Sequence, residues 1–254
     1  LISQTRSTTE TRTQTVRDTF TAHLAFNRTF ADKHTVGATL GYELMSQRYW
    51  YLTSNSTGSA SDDVPILDSG INFKASNKDE KQALMSLFGR VSYDFAQKYI
   101  VSATFRYDGS SKFAKGNQWG FFPAASAAWV ISEEPFFEGV RRTMNNLKLR
   151  VSYGQTGNNG IGLYDTYGAF ATGQYKGHTT FLPSAMQNAD MQWESTTQLD
   201  VGLDVGFLND RVRFIFDYYN KKTDNMLFSI TMPDTGPYSS VKANVGSARF
   251  YGFV

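Results

Sequence analysis

Strict two-residue alternation constrains this chain more than any other feature. In Leu147-Lys-Leu-Arg-Val-Ser-Tyr153, Gln198-Leu-Asp-Val-Gly-Leu-Asp-Val205 and Arg211-Val-Arg-Phe-Ile-Phe-Asp-Tyr218, large apolar residues recur at every second position. The alternate face carries Lys, Arg, Asp, Ser or Gly. Successive side chains of a strand point to opposite faces, so each segment reads as a long strand with one apolar and one polar face.

The same reading gives nine strands. The first spans about 13–26, with Phe20, Ala22, Leu24 and Phe26 on one face, and turns at 30–33 into a second over 36–52. A polar stretch, 53–81, precedes the third, which sets Met85, Leu87, Gly89, Val91, Tyr93 and Phe95 against Ser86, Arg90, Ser92 and Asp94. It turns at 96–98 into the fourth, ending near Asp108, and 108–117 reads as a loop from its Gly, Ser and Asn. The fifth, 119–131, holds Pro123, which should weaken the ladder or mark a bulge. Residues 132–146 form a connection that opens like a helix at Ser132-Glu-Glu-Pro135. The sixth ends at Gly154 before a loop over 155–194. Strands seven and eight form a hairpin across Leu208-Asn-Asp210, a loop with Pro233, Gly236 and Pro237 follows, and the ninth begins near Val245.

Loop length follows strand parity. Connections after strands one, three and seven are a few residues, and that after five is a short helical piece. Those after two, four, six and eight are longer, two of them well beyond the usual range. Membrane β-barrels are built this way, with tight turns on one side and long loops on the other. Aromatic residues gather at strand ends: Tyr93, Phe95, Tyr99 and Phe207 near the turns; Tyr49-Trp-Tyr51, Tyr107, Trp119 and Tyr218-Tyr219 toward the loops. Amphipathic rings favour the two membrane interfaces.

Composition narrows the classes. Aromatics make up 15% of the 254 residues and charged residues 19%, against a typical charged share of about 25%. Mean hydropathy is −0.38, a value that the polar face and loops of a barrel would produce. No apolar run is long enough for a membrane helix; the longest, 123–131, is interrupted by Ser126. A net charge of +2 makes no case for nucleic acid, and zero cysteines exclude disulfides and thiolate chemistry within these residues. The first residues carry no basic and apolar leader pattern. Alternation alone leaves a soluble β-sandwich open, because its inner face is apolar too.

Several ordered motifs then carry a family likeness. Arg106-Tyr-Asp-Gly-Ser-Ser-Lys-Phe113, Gln118-Trp-Gly-Phe-Phe-Pro123, Ala128-Trp-Val-Ile-Ser-Glu-Glu-Pro-Phe136 and Leu147-Lys-Leu-Arg-Val-Ser-Tyr-Gly-Gln-Thr-Gly-Asn158 resemble the barrel of SusC/RagA-type TonB-dependent outer-membrane transporters. So do Gly41-Tyr-Glu43, Trp193-Glu194, Asp217-Tyr-Tyr-Asn-Lys-Lys-Thr-Asp224, and Asn244-Val-Gly246 followed by Gly252. The resemblance implies an all-β, antiparallel transmembrane barrel of about 22 strands around a plug. Residues 1–254 would supply about nine strands of its C-terminal barrel domain, with the plug and N-terminal extension outside this sequence. Nine strands with two free edges cannot sit in lipid unaided, because edge backbone groups would go unsatisfied. It further implies an outer-membrane location, energising by TonB through the missing N-terminal part, a SusD/RagB-like surface lipoprotein, and a glycan or peptide substrate.

Candidate chemistry is sparse. His23, His34 and His178 fall on a strand, at a turn and in a loop, without metal-ligand spacing. Glu133-Glu134 reads as a helix start favoured by the dipole. Gly154-Gln-Thr-Gly-Asn-Asn-Gly-Ile-Gly162 lacks the Gly-Lys-Ser/Thr ending of a phosphate loop, and Asp62, Asp63 and Asp68 lack a calcium-loop spacing. No catalytic residue, metal or cofactor is expected. Alternation places Arg90, Arg106, Arg150, Asp200, Asp204, Arg213 and Asp217 on the lumen face, with Leu147, Leu149, Val151, Tyr153, Leu199, Val201, Leu203, Val212, Phe214 and Phe216 toward lipid. Trp50, Tyr164, Tyr167, Tyr175, Phe181 and Trp193 are the loop aromatics for substrate or partner, or else for packing the loops on one another. Two functions remain: an importer wall, and an adhesin or structural pore without energised uptake.

Overall fold

The computed structural model describes residues 6–61, 63–233, 238 and 240–254. Asp62, Gly236 and Pro237 lie outside the described residues. Nine long strands form one antiparallel sheet: β1 (Ser7–Phe30), β2 (His34–Thr57), β3 (Asn72–Phe95), β4 (Tyr99–Ser110), β5 (Trp119–Val130), β6 (Met144–Asn158), β9 (Glu194–Phe207), β10 (Val212–Asp224) and β13 (Ser247–Phe253). They neighbour one another in chain order. Two small hairpins, β7–β8 (Ala169–Tyr175, His178–Ala185) and β11–β12 (Leu227–Thr231, Ser240–Asn244), sit within the connections after β6 and β10.

Register settles which residues share a face. Leu147, Leu149, Val151 and Tyr153 oppose Val205, Leu203, Val201 and Leu199 across β6–β9. Leu203 and Val205 in turn oppose Phe216 and Phe214 on β10. The other face aligns Lys148 with Asp204, Arg150 with Gly202 and Ser152 with Asp200, then Gly202 with Asp217. Ile215, opposite Asp204, is the apolar intruder on that polar face. The apolar face has no protein cover: Phe214 is 60% exposed and Leu24 78%.

The chain divides into two compact units. In the first, the described residues up to Thr19 with Met45–Ala83, the strands carry polar residues on both faces and hold each other through cross-strand pairs. Arg17 donates to Gln47 Oε1, Arg48 Nε to Asp79 Oδ1 at 2.9 Å, and Asn55 Nδ2 to Thr9 Oγ1 at 2.8 Å. The expected loop over 53–81 is therefore shorter. Residues up to Thr57 and from Asn72 are strand, because backbone pairing needs no apolar alternation where both faces meet water.

In the second unit, Phe20–Leu44 with Leu84–Val254, β4 continues to Ser110 and β6 to Asn158 rather than stopping at Gly154. Pro123 causes no register shift against β4, where it opposes Phe105. The ladder between β5 and β6 ends beside it, at Ala124–Gly154, as a residue without an N–H requires. The helical connection after β5 is two single 3-10 turns, Ile131–Glu133 and Pro135–Phe137.

Tight turns close one end of the sheet. Ala31-Asp32 and Ala96-Gln97 have positive φ at both central residues, with Lys33 N donating to Phe30 O at 3.2 Å and Lys98 N to Phe95 O at 3.0 Å. This is the I′ geometry whose twist matches a hairpin. At the opposite end the loops and the start of β5 make the described residues' only cluster of buried apolar side chains: Phe113, Phe122, Ile161, Met191 and Trp193.

Candidate functional site: the polar face and the loops above it

Two ion-paired knots mark the polar face. Arg106 Nε donates to Asp108 Oδ2 at 2.9 Å and Nη2 to Ser86 Oγ at 2.9 Å, with Glu43 Oε1 at 3.5 Å. Arg150 grips Asp204 with two nitrogens, Nη2–Oδ1 at 2.8 Å and Nε–Oδ2 at 3.0 Å, and reaches Asp217 Oδ1 at 3.0 Å. Arg150 stands on β6 and Asp217 on β10, so its guanidinium must cross β9 where Gly202 lies. A Cβ on Gly202 would come within 2.7 Å of the guanidinium carbon; glycine there is the condition for the three-strand bridge.

The remaining polar-face candidates differ. Arg213 stands near the turn, 3.9 Å from Asp210. Asp200 accepts from Ser152 Oγ at 3.2 Å and Gln198 Nε2 at 2.8 Å. Arg90 opposes Thr104 and borders open depressions on this face.

The loops above are knitted together. Lys242 Nζ reaches Asp165 Oδ2 at 2.6 Å, Asn117 Nδ2 donates to Ala189 O, and Asn244 Nδ2 to Gln192 O. Glu194 accepts from Asn158 Nδ2 and from the backbone of Leu227. Trp193 lies inside this block: its indole N–H donates to Gln118 O at 3.0 Å and its ring meets Phe113 at 5.3 Å and Phe122 at 5.4 Å. It packs loops instead of facing solvent. Trp50 lies within strand β2, half-buried, and not in a loop.

Tyr164, Tyr167, Tyr175 and Phe181 are exposed, the last two on the β7–β8 hairpin, where Lys176 lies 5.6 Å over the Tyr175 ring. Sequence reasoning missed the hairpin and its exposed Phe170 and Leu182. One signal was present: Lys176-Gly177 between Tyr175 and His178, a two-residue turn with both φ positive.

Glu134 stands at the N-cap of the second 3-10 turn, just before Pro135, but its side chain makes no capping bond, and Glu133 lies within the first turn. Glu134 is buried at the turn end, accepting from Tyr99 Oη at 2.6 Å and Trp129 Nε1 at 3.1 Å, with Lys98 Nζ at 3.5 Å. The tyrosine hydrogen bond above all, then the indole's, holds its carboxyl below the usual range. The histidines are scattered: His34 Nδ1 meets Tyr93 Oη at 2.7 Å, His178 sits on the β7–β8 hairpin and His23 on β1. Among the described residues, no three His, Cys, Asp or Glu side chains converge as metal ligands. The geometry offers exposed loop aromatics, a charged face and an exposed apolar face.

Comparison with known proteins agrees with that geometry. Residues 2–253 match the family model described as TonB dependent receptor-like, beta-barrel. TonB-dependent receptor P39 of Formosa agariphila is 36% identical over 234 residues, covering 90% of this chain and 22% of that protein. TonB-dependent receptor SusC of Bacteroides thetaiotaomicron is 38% identical over 183 residues, covering 68% of this chain and 18% of its own length. A structure of the RagAB peptide transporter superposes with a TM-score of 0.89 at 26% identity, over 96% of this chain and 28% of that one. The chain thus spans about a fifth of the curated relatives it matches. With an all-β antiparallel wall, an uncovered apolar face and a family match over nearly its whole length, the chain belongs to the TonB-dependent receptor β-barrel family.

Proposed function

We propose that residues 1–254 form part of the C-terminal barrel domain of an outer-membrane importer, energised by TonB through an N-terminal portion and taking up oligosaccharides or peptides with a surface lipoprotein. The observation that carries this reading is the two-faced register. One face is apolar and exposed from Phe20 to Phe216, while the other holds Arg106 and Arg150 in ion pairs. Lipid on the first face and water on the second satisfy both; lipid against Arg150 would cost about 2–4 kcal/mol at mid-depth.

The tight turns then face the periplasm and the long loops the exterior. The β7–β8 hairpin is the part best suited to meet the lipoprotein. Phe170 and Phe181 share one face of the hairpin and are exposed, the kind of apolar surface that marks an interface.

In the full-length protein, Val101→Cys should resist a water-soluble maleimide in intact membranes, and Thr104→Cys, on the other face, should react. The reverse pattern refutes the wall assignment. Uptake should vanish in cells lacking TonB; undiminished uptake there favours a passive pore. Phe170→Ser with Phe181→Ser should release the lipoprotein during purification.

A further inference from the structure

The two charged groups that border one depression of 330 Å³ on the polar face each lack an oppositely charged partner among the described residues. Arg90 makes no ion pair, whereas Arg106 and Arg150 are locked to carboxylates. Asp200 accepts only from neutral donors, Ser152 and Gln198. Register places them at opposite rims. Arg90 opposes Thr104, Thr104 opposes Ala124, Ala124 opposes Gly154 and Gly154 opposes Gln198. The adjoining row runs Ser102, Ser126, Ser152, Asp200.

Every residue between the rims is small, which leaves a trough running across the strands. At strand spacings of about 4.8 Å, Arg90 and Gln198 stand roughly 19 Å apart at their Cα atoms. The long Arg90 side chain shortens that gap to the length of about three to five extended residues, at 3.3–3.6 Å each. Hydroxyls of Ser102, Thr104 and Ser126 line the floor. The one ring at the border, Tyr153, belongs to the apolar face.

We propose that this trough takes a short, extended peptide, its C-terminal carboxylate on Arg90 and its N-terminal ammonium on Asp200. The assignment rests on the importer reading above and narrows its substrate class. A neutral glycan gains nothing from separated opposite charges and prefers an aromatic platform, which the trough lacks. A guanidinium offers paired donors to a carboxylate, and the hydroxyls and the Gln198 amide suit peptide groups.

The test is titration of the full-length protein in detergent with tetra-alanine bearing free, N-acetylated or C-amidated ends. Each cap should weaken binding about tenfold, the scale of a hydrogen bond to a charged group. Arg90→Gln should abolish discrimination against the amide, and Asp200→Asn that against the acetyl cap. Equal affinity for the three peptides, or no binding of any at millimolar concentration, overturns the proposal. So does a shift in melting of the unliganded variants with peptide affinity unchanged, which would show that the two charges serve the protein's own chain. Uptake that persists in any of those cases leaves the importer reading standing and removes only the trough.

Discussion

The two ends of the sheet are closed by different physics. At the turn end, chain reversal is local, and single bonds join one turn to the next. Two-residue turns reverse the chain, Lys33 O accepts from Ala96 N and Lys98 O from Val130 N, and Glu134 ties Tyr99 to Trp129. At the loop end, closure is long-range. Phe113, Phe122, Ile161, Met191 and Trp193 come from three separate stretches and make a small core that no single stretch could bury. The turn end should therefore tolerate single changes, while the loop end should depend on one or two side chains.

Trp193→Ala is the sharpest way to break that contrast. Removing a buried tryptophan costs roughly 3–5 kcal/mol, and the indole's bond to Gln118 O goes with it. Residues 111–118 and 159–193 should become sensitive to protease in the full-length protein, while the turns at 31–33 and 96–98 stay protected. Equal sensitivity at both ends would show that the loop core does not hold the loops.

Arg150→Met carries the next largest effect. It leaves Asp204 and Asp217 on one face without the cation between them. The group is partly solvated, so a loss of about 1–2 kcal/mol is expected. Melting of the full-length variant should fall, and a second change, Asp217→Asn, should recover part of the loss. Additive losses in the double variant would mean that the bridge over Gly202 does not couple the strands.

The same contrast explains what the amino-acid order revealed. Nine strands, their faces and the parity of the connections were legible because each follows from a two-residue period and from turns a few residues long. Leu147 to Tyr153 needed no knowledge of any partner strand to declare its apolar side. Residues 53–57 and 72–81 of β2 and β3 read as loop in the sequence because polar strands lose the alternation while keeping the hydrogen bonds. Trp193 looked like a loop aromatic free to bind, since nothing local shows that Phe113 and Phe122 cover it. Arg150 was placed on the polar face by parity, but its two carboxylates lie on strands 54 and 67 residues away. Only the register brings them together.

Glu134→Gln probes the turn end through pH. Its carboxyl is held below the ordinary range, first by Tyr99 and then by Trp129. A depressed carboxyl stabilises the folded state above its unfolded-state pKa and loses that contribution as pH falls through the lower, folded value. The wild-type protein should therefore melt higher than the Gln variant near neutral pH. The gap should shrink steadily on acidification below the usual carboxylate range. A gap that is constant with pH would mean that shape, and not charge, makes Glu134 useful.

Ala96→Gly should have the smallest effect, and its sign is the informative part. Ala96 and Gln97 both sit in the left-handed region, with φ of 55° and 58°, where a Cβ costs on the order of 1–2 kcal/mol per residue. Glycine removes that strain but gives the unfolded chain more freedom, a cost of about 0.4–1 kcal/mol. The difference predicts a net gain of roughly 0.5 kcal/mol. Nothing else at the turn changes: Lys98 N still donates to Phe95 O, and Gln97 N to Asp94 Oδ1 at 2.8 Å. The measurement is the melting temperature of full-length Ala96→Gly beside Ala125→Gly, a mid-strand control with no positive φ, where glycine should only destabilise. A loss at both positions would mean that neighbouring turns and the Asp94 bond, rather than the turn's own dihedral preference, set the geometry. The turn end would then be held by long-range contacts like the loop end, and the contrast between the two would be one of degree.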